Sequence, residues 1–163
     1  MKSNHYTHSL YYKLLIGYLI FGLLGFITIA TISSEMTYHH LVERESEVLY
    51  DEATMIADRC SKAYEGKTIN LDSAYPQIEA VSAYLQSDIW ILNHEGTIVA
   101  DSSDSRTGIA IDDFDPTATG NRLYSIGQYY NLFDSKVLSV SAPITGNMKT
   151  YGYIVIHYAN PEH

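Results

Sequence analysis

From Leu14 to Ser34 the chain runs for 21 residues without a charged side chain, LLIGYLIFGLLGFITIATISS. At ~1.5 Å per residue, a helix of this length crosses the ~30 Å hydrocarbon layer of a membrane. Inside lipid every backbone amide needs an internal partner, and a helix provides one. The run exceeds the ~7–15 apolar residues of a cleaved signal peptide, and no clear A-x-A site follows it, so an uncleaved anchor is expected. Lys2 and Lys13 precede the run and Glu35 follows it. The positive-inside rule then keeps residues 1–13 in the cytoplasm and sends everything after about residue 34 outside. Tyr11, Tyr12 and Tyr38 flank the apolar stretch at interfacial positions.

Charge is distributed unevenly. All 19 acidic residues lie at Glu35 or later, against eight Lys or Arg there, a net of −11. A surface of that sign repels phosphate, so nucleic acid is excluded as a partner. Cys60 is the only cysteine, so no internal disulfide holds the fold. A small packed residue is its ordinary role, and an intermolecular bridge in a dimer is the sharper alternative.

Residues 35–65 predict a stalk helix, free of Gly and Pro. Val42, Leu49, Ile56 and Ala63 recur every seven residues, Leu41, Val48 and Met55 form a second row, and Ala53 and Cys60 flank them. Glu45, Glu52 and Arg59 interrupt a strict coiled-coil seam. Part of the stripe is expected to pack on the following domain and part on a second copy. Continuous with the membrane helix, it would run about 50 residues, or roughly 75 Å. His39 and His40 point to different faces and read as interfacial polar residues rather than a chelating pair.

Gly66 suits the end of the stalk. A short helix is expected over Tyr75–Gln86, capped by Asp72 or Ser73 with Pro76 in its first turn. The periodicity then changes. Ile89–Leu92 is apolar on both faces, as a covered strand requires. Asn93-His94-Glu95-Gly96 is a hairpin turn, and Thr97–Asp101 the second strand. Ser102–Asn121 is a long excursion with a helical turn expected near Asp112–Thr117. Strands are expected over Arg122–Tyr130, Lys136–Ala142 and Thr150–Tyr158, with turns at Asn131–Ser135 and Thr145–Met148. A long helix against a five-stranded antiparallel sheet is an α+β layer architecture.

In this order the stretches IWILNHEGTIVADSS, DDFDP, LSVSAPI and YGYIVIHY resemble the single PDC/Cache sensor domains of bacterial two-component sensor histidine kinases. The resemblance covers about residues 10–160, with the sensor domain at 66–160. It implies a PAS-like sheet, a homodimer joined through stalk and membrane helices, and a second membrane helix beyond this chain. It also implies a cytoplasmic part that would bind ATP and Mg and pass phosphate to a cognate response regulator. The module is shared by chemoreceptors and cyclic-dinucleotide enzymes, and a one-pass anchored binding or accessory protein is a reading of another class. The chain itself carries no G-x-S-x-G, H-E-x-x-H, P-loop or G-x-G-x-x-G and no catalytic residue is assigned; no cofactor is expected in this region.

The signal is expected to be a small molecule or a protein; in the resembling family, ligands bind between the sheet and the long loop after the second strand. Carried onto this sequence, that wall is Trp90, Asp101, Ser102, Arg106, Tyr124, Ser139, Ser141 and Tyr153. Arg106 would meet a ligand carboxylate, or else order the loop through Asp101, Asp104 or Asp112. Trp90 is a core residue or a ligand platform. Asp112, Asp113 and Asp115 are weak candidates for a cation, with turn formation as the commoner role. His94 and His157 are the candidates for a pH response.

Overall fold

The computed structural model describes residues 5–62, 64–65, 68–69, 71–118 and 123–159. The element order is α1 (His5–Lys62), β1 (Tyr64–Glu65), β2 (Thr68–Ile69), α2 (Leu71–Leu85), β3 (Ser87–Asn93), β4 (Ile98–Asp101), β5 (Tyr124–Gly127), β6 (Val137–Gly146) and β7 (Lys149–Tyr158). The expected helix end at Gly66, Ala63 of the heptad row, and Asn121–Arg122 lie outside the described residues.

The chain divides into two units, residues 1–43 and 44–163. The first is the N-terminal part of α1. This helix is long and apolar enough to cross a membrane, with every described side chain from Leu10 to Leu41 exposed. Two of its hydroxyls are satisfied within the helix: Thr28 and Thr31 donate to the carbonyls of Leu24 and Ile27 at 2.8 Å. An apolar environment would otherwise leave those hydroxyls without partners.

The second unit is built on a five-stranded antiparallel sheet in the order β4-β3-β7-β6-β5. Residues paired across the ladder share a face, so the register sorts the side chains. Ile89, Ile91, Ile154, Ile156, Val140 and Ala142 occupy one face and are buried. α2 packs on β3 there, through the buried Ala74 and Ile78. The C-terminal part of α1 lies along the β6–β7 hairpin: the Tyr158 hydroxyl bonds the Glu45 carboxylate at one end, and the Ser61 hydroxyl donates to the Thr145 carbonyl at the other. Within this unit α1 buries Ser46, Leu49, Ala53, Ile56, Ala57 and Cys60, a stripe spaced by three and four, and exposes Val48 and Met55.

Six elements differ from the sequence expectation. Tyr64–Glu65 is a strand, not the end of the stalk, and pairs with Thr68–Ile69 in a hairpin too short to leave a periodic signal. The second helix starts at Leu71, which places Pro76 beyond its first turn. Asp112–Thr117 forms turns rather than a helical turn. β5 stops at Gly127, because Tyr129, Tyr130 and Asn131 adopt positive φ of 36°, 52° and 59° and turn the chain away from the sheet. The last two strands run longer than expected, with Asn147 and Met148, both at positive φ, as the connecting turn.

Candidate functional site

The other face of the sheet carries Trp90 and Leu92 from β3, Tyr153, Val155 and His157 from β7, and Ser139 and Ser141 from β6. It is roofed by the long loop and by the β5–β6 turn. The loop folds back along β4: Ile98 N donates to the Ile109 carbonyl, Gly108 N to the Ile98 carbonyl, and Ile111 N to the Gly96 carbonyl. Gly96 is required twice over. Its φ is +88°, and a Cβ there would stand 2.5 Å from Cβ of Phe114. Phe114 thus sits on the β3–β4 turn, and Trp90, Leu92, Ile98, Ile111 and Val155 form a core beneath it, flanked by Phe114, Tyr129, Leu132, Phe133 and Tyr153.

Asp101 fixes the start of the loop. It is fully buried, and its carboxylate accepts from the backbone amides of Ser103, Ser105 and Arg106 at 3.0–3.2 Å and from the Ser103 and Ser105 hydroxyls. Ser102 extends the ladder: its amide donates to the Ile89 carbonyl and its hydroxyl accepts from the Ile89 amide. Both residues therefore order backbone rather than face open space.

Arg106 lies against a pair of stacked rings. Its Cζ is 4.8 Å from the Phe133 ring centre and 5.5 Å from that of Trp90. The guanidinium donates to the Ser105 hydroxyl and the Leu132 carbonyl, and Asp88 lies 3.9 Å away. It makes no side-chain ion pair with Asp101, Asp104 or Asp112 among the described residues; its contact to Asp101 is through the backbone amide. Trp90 is inaccessible, stacks on Phe133 at 5.3 Å and meets Tyr129 and His157 edge-on.

His157 completes this cluster. It is buried, with Nδ1 2.8 Å from the Ser139 hydroxyl. Burial, and then the Arg106 charge, hold the imidazole well below its usual pKa, so it is neutral at ordinary pH. His157 Nε2, Trp90 Nε1 and the Ser141 hydroxyl are buried with no hydrogen-bond partner among the described residues.

Beside the cluster, over β5 and β6, lies a cavity of about 290 Å³. Phe114, Tyr129 and Tyr130 supply aromatic walls, Ser125, Ser139 and Ser141 hydroxyls line it, and Asp115, Pro116 and Ala118 come from the loop. The loop is latched to the β5–β6 turn where the Asp115 amide donates to the Tyr130 hydroxyl at 3.1 Å. The Thr117 hydroxyl and amide both donate to Asp115 Oδ1, at 2.6 and 2.8 Å, and hold that carboxyl below the usual range.

Of the eight wall residues carried over from the family resemblance, Ser139 and Ser141 line this cavity. Trp90, Asp101, Arg106 and Tyr153 lie on the same side of the sheet, in the adjoining core and loop anchor. Tyr124 does not join them: it pairs with Val140, whose partner Ile156 faces the helices. No group of three His, Cys, Asp or Glu side chains converges as a metal site among the described residues, so Asp112, Asp113 and Asp115 do not form one. Sequence reading missed Tyr129, Tyr130 and Phe114. Strand alternation would have put Tyr129 and Tyr130 on opposite faces, and nothing in the sequence announced the left-handed backbone that brings both to one site.

Among solved structures, the extracellular domain of rpHK1S-Z16, a protein named as a histidine kinase, superposes with a TM-score of 0.51 at 16% identity, over 82% of this chain. The fold is the PDC/Cache one. The V. cholerae histidine kinase DctB sensor domain is also similar, with 16% identity over 90% of the chain and a TM-score of 0.40; only the first reaches the similarity of a shared fold. The chain spans 59% and 57% of those two structures. No family model and no curated protein matches the chain.

Proposed function

We propose that this chain is the extracytoplasmic input region of a membrane receptor, anchored by α1, with a two-component sensor histidine kinase as its output. The observation that carries the reading is the pairing of an apolar helix of membrane-spanning length with a PDC/Cache sheet whose loop face holds a walled cavity. A signal molecule seated there changes how the long loop and the β5–β6 turn lie on β6 and β7. Those strands pack on the C-terminal part of α1, so the change reaches the helix that enters the membrane. Such relay needs two states that differ in affinity for the signal. In this reading two copies pair through α1, and a second membrane helix after β7 leads to the kinase, where ATP and Mg bind and a response regulator receives the phosphate.

A chimera tests it. The chain is joined to the second membrane helix and cytoplasmic half of a two-component kinase with a transcriptional reporter. Filling the cavity with Ser141→Phe, or loosening the loop anchor with Asp101→Asn, is expected to move reporter output severalfold from the parent chimera. Unchanged output in both, with the protein present in the membrane at normal level, sinks the sensing role.

A further inference from the structure

The walls of the cavity specify more than its presence. Pockets for small molecules start at ~300 Å³, so about 290 Å³ suits a compact ligand. The only charged side chain among its described lining residues is Asp115, and the only described arginine of the loop, Arg106, is taken up by Trp90, Phe133 and Asp88 on the adjoining side. A ligand carboxylate would therefore enter next to an anion and meet no cation among the described lining residues. Thr117 occupies Asp115 Oδ1, and Oδ2 is bonded to none of the described residues. Phe114, Tyr129 and Tyr130 bring electron-rich rings to the same space, and Tyr130 is fixed to the Asp115 backbone through its hydroxyl. Aromatic walls attract a desolvated alkylammonium group far more than they attract a neutral one. At the β6 end, the Ser141 hydroxyl is buried without a partner. It is a free donor and acceptor for a small polar group.

We propose that the cavity binds a small organic cation, with an ammonium group against Phe114, Tyr129 and Tyr130, the Asp115 carboxylate as its counter-charge, and a hydroxyl or carbonyl end at Ser141. This rests on the cavity being the sensing site, and it departs from the carboxylate ligand that the sequence suggested for Arg106.

The test uses the full chain in lipid nanodiscs. Choline, ethanolamine and phenylethylamine are the cationic probes. The carbon isostere 3,3-dimethyl-1-butanol is the neutral control for choline, and succinate the anionic one. Titration is followed by calorimetry and by the fluorescence of Trp90, the only tryptophan. At least one cation is expected to bind saturably, choline about tenfold or more tighter than its neutral isostere, and Asp115→Asn to weaken the cations about tenfold without lowering the melting temperature. Equal binding of choline and the isostere, preference for succinate, or no saturable binding of any cation into the millimolar range overturns the proposal. If the cations fail while the chimera still responds to Ser141→Phe, the ligand class is wrong and the sensing role stands. If the cations fail and neither Ser141→Phe nor Asp101→Asn moves the chimera, the sensing role falls as well.

Discussion

His157 is the residue whose surroundings dictate a measurable property. Two aromatic rings and Trp90 press on the imidazole at 4.1–4.9 Å, Ser139 holds Nδ1, and the nearby Arg106 charge opposes protonation. Asp88, on the same face of the sheet, is the nearest carboxylate partner of that arginine and offsets part of its charge. The folded pKa is depressed, so the unfolded chain takes up the proton first, near its ordinary value of 6.5. Stability is therefore full above that value and declines as pH falls below it, until the folded pKa is reached. Between about pH 7.5 and about pH 5.5 the loss attributable to this one group is on the order of 1 kcal/mol. Thermal unfolding at the two pH values, in the parent and in His157→Phe, isolates it from the carboxylates: the parent should lose that much more than the variant. Equal losses would show that the imidazole is not kept neutral by the fold. The sequence allowed little of this. It offered His157 as a candidate for a pH response and left its neighbours open, because Arg106, Tyr129 and Phe133 reach it through turns whose path depends on left-handed residues. Cys60 was simpler: a cysteine on the buried stripe of a helix is enclosed, and burial pushes its thiol up to about 11, which keeps it unreactive.

At the scale of elements, periodicity was legible wherever a long run had one covered face. β3 and β7 showed as apolar strands, and in β6 Leu138, Val140 and Ala142 alternate with Ser139 and Ser141 as the two faces of the sheet require. The short hairpin β1–β2 and the early stop of β5 left no comparable pattern, since two or four residues cannot establish a period. Tyr124, carried over from the resemblance, lies in the other layer. α1 presents two apolar heptad rows, and the second unit covers only one of them: Leu49 and Ile56 are buried while Val48 and Met55 are about half exposed, at 53% and 51%. An apolar row at seven-residue spacing left bare on a helix is suited to pairing with its copy. In a Cys60→Ala background, Val48→Cys should form a disulfide-linked dimer on mild oxidation in membranes, while Thr54→Cys, on another exposed flank of the helix, should not. Cross-linking from both positions, or from neither, would remove α1 as the dimer contact.

For the whole molecule the governing facts are a charge count and an apolar run, and both were legible in full because neither depends on packing. Lys2 and Lys13 stand before the run, and a net of −11 stands after it. Holding the two lysines back on the cytoplasmic side, with no Lys or Arg after the run until Arg44, is the arrangement that the positive-inside rule favours. Orientation can be read directly. Glu95 lies exposed in the β3–β4 turn, so Glu95→Cys, with Cys60→Ala, offers one accessible thiol. A membrane-impermeant maleimide should label it in intact spheroplasts as fully as after lysis. Exchanging the two lysines for Glu removes the retained charge and should lower the fraction labelled before lysis. Labelling that appears only after lysis in the parent chain would place the sheet and its cavity in the cytoplasm, and an external signal could then not reach Asp115 or Ser141.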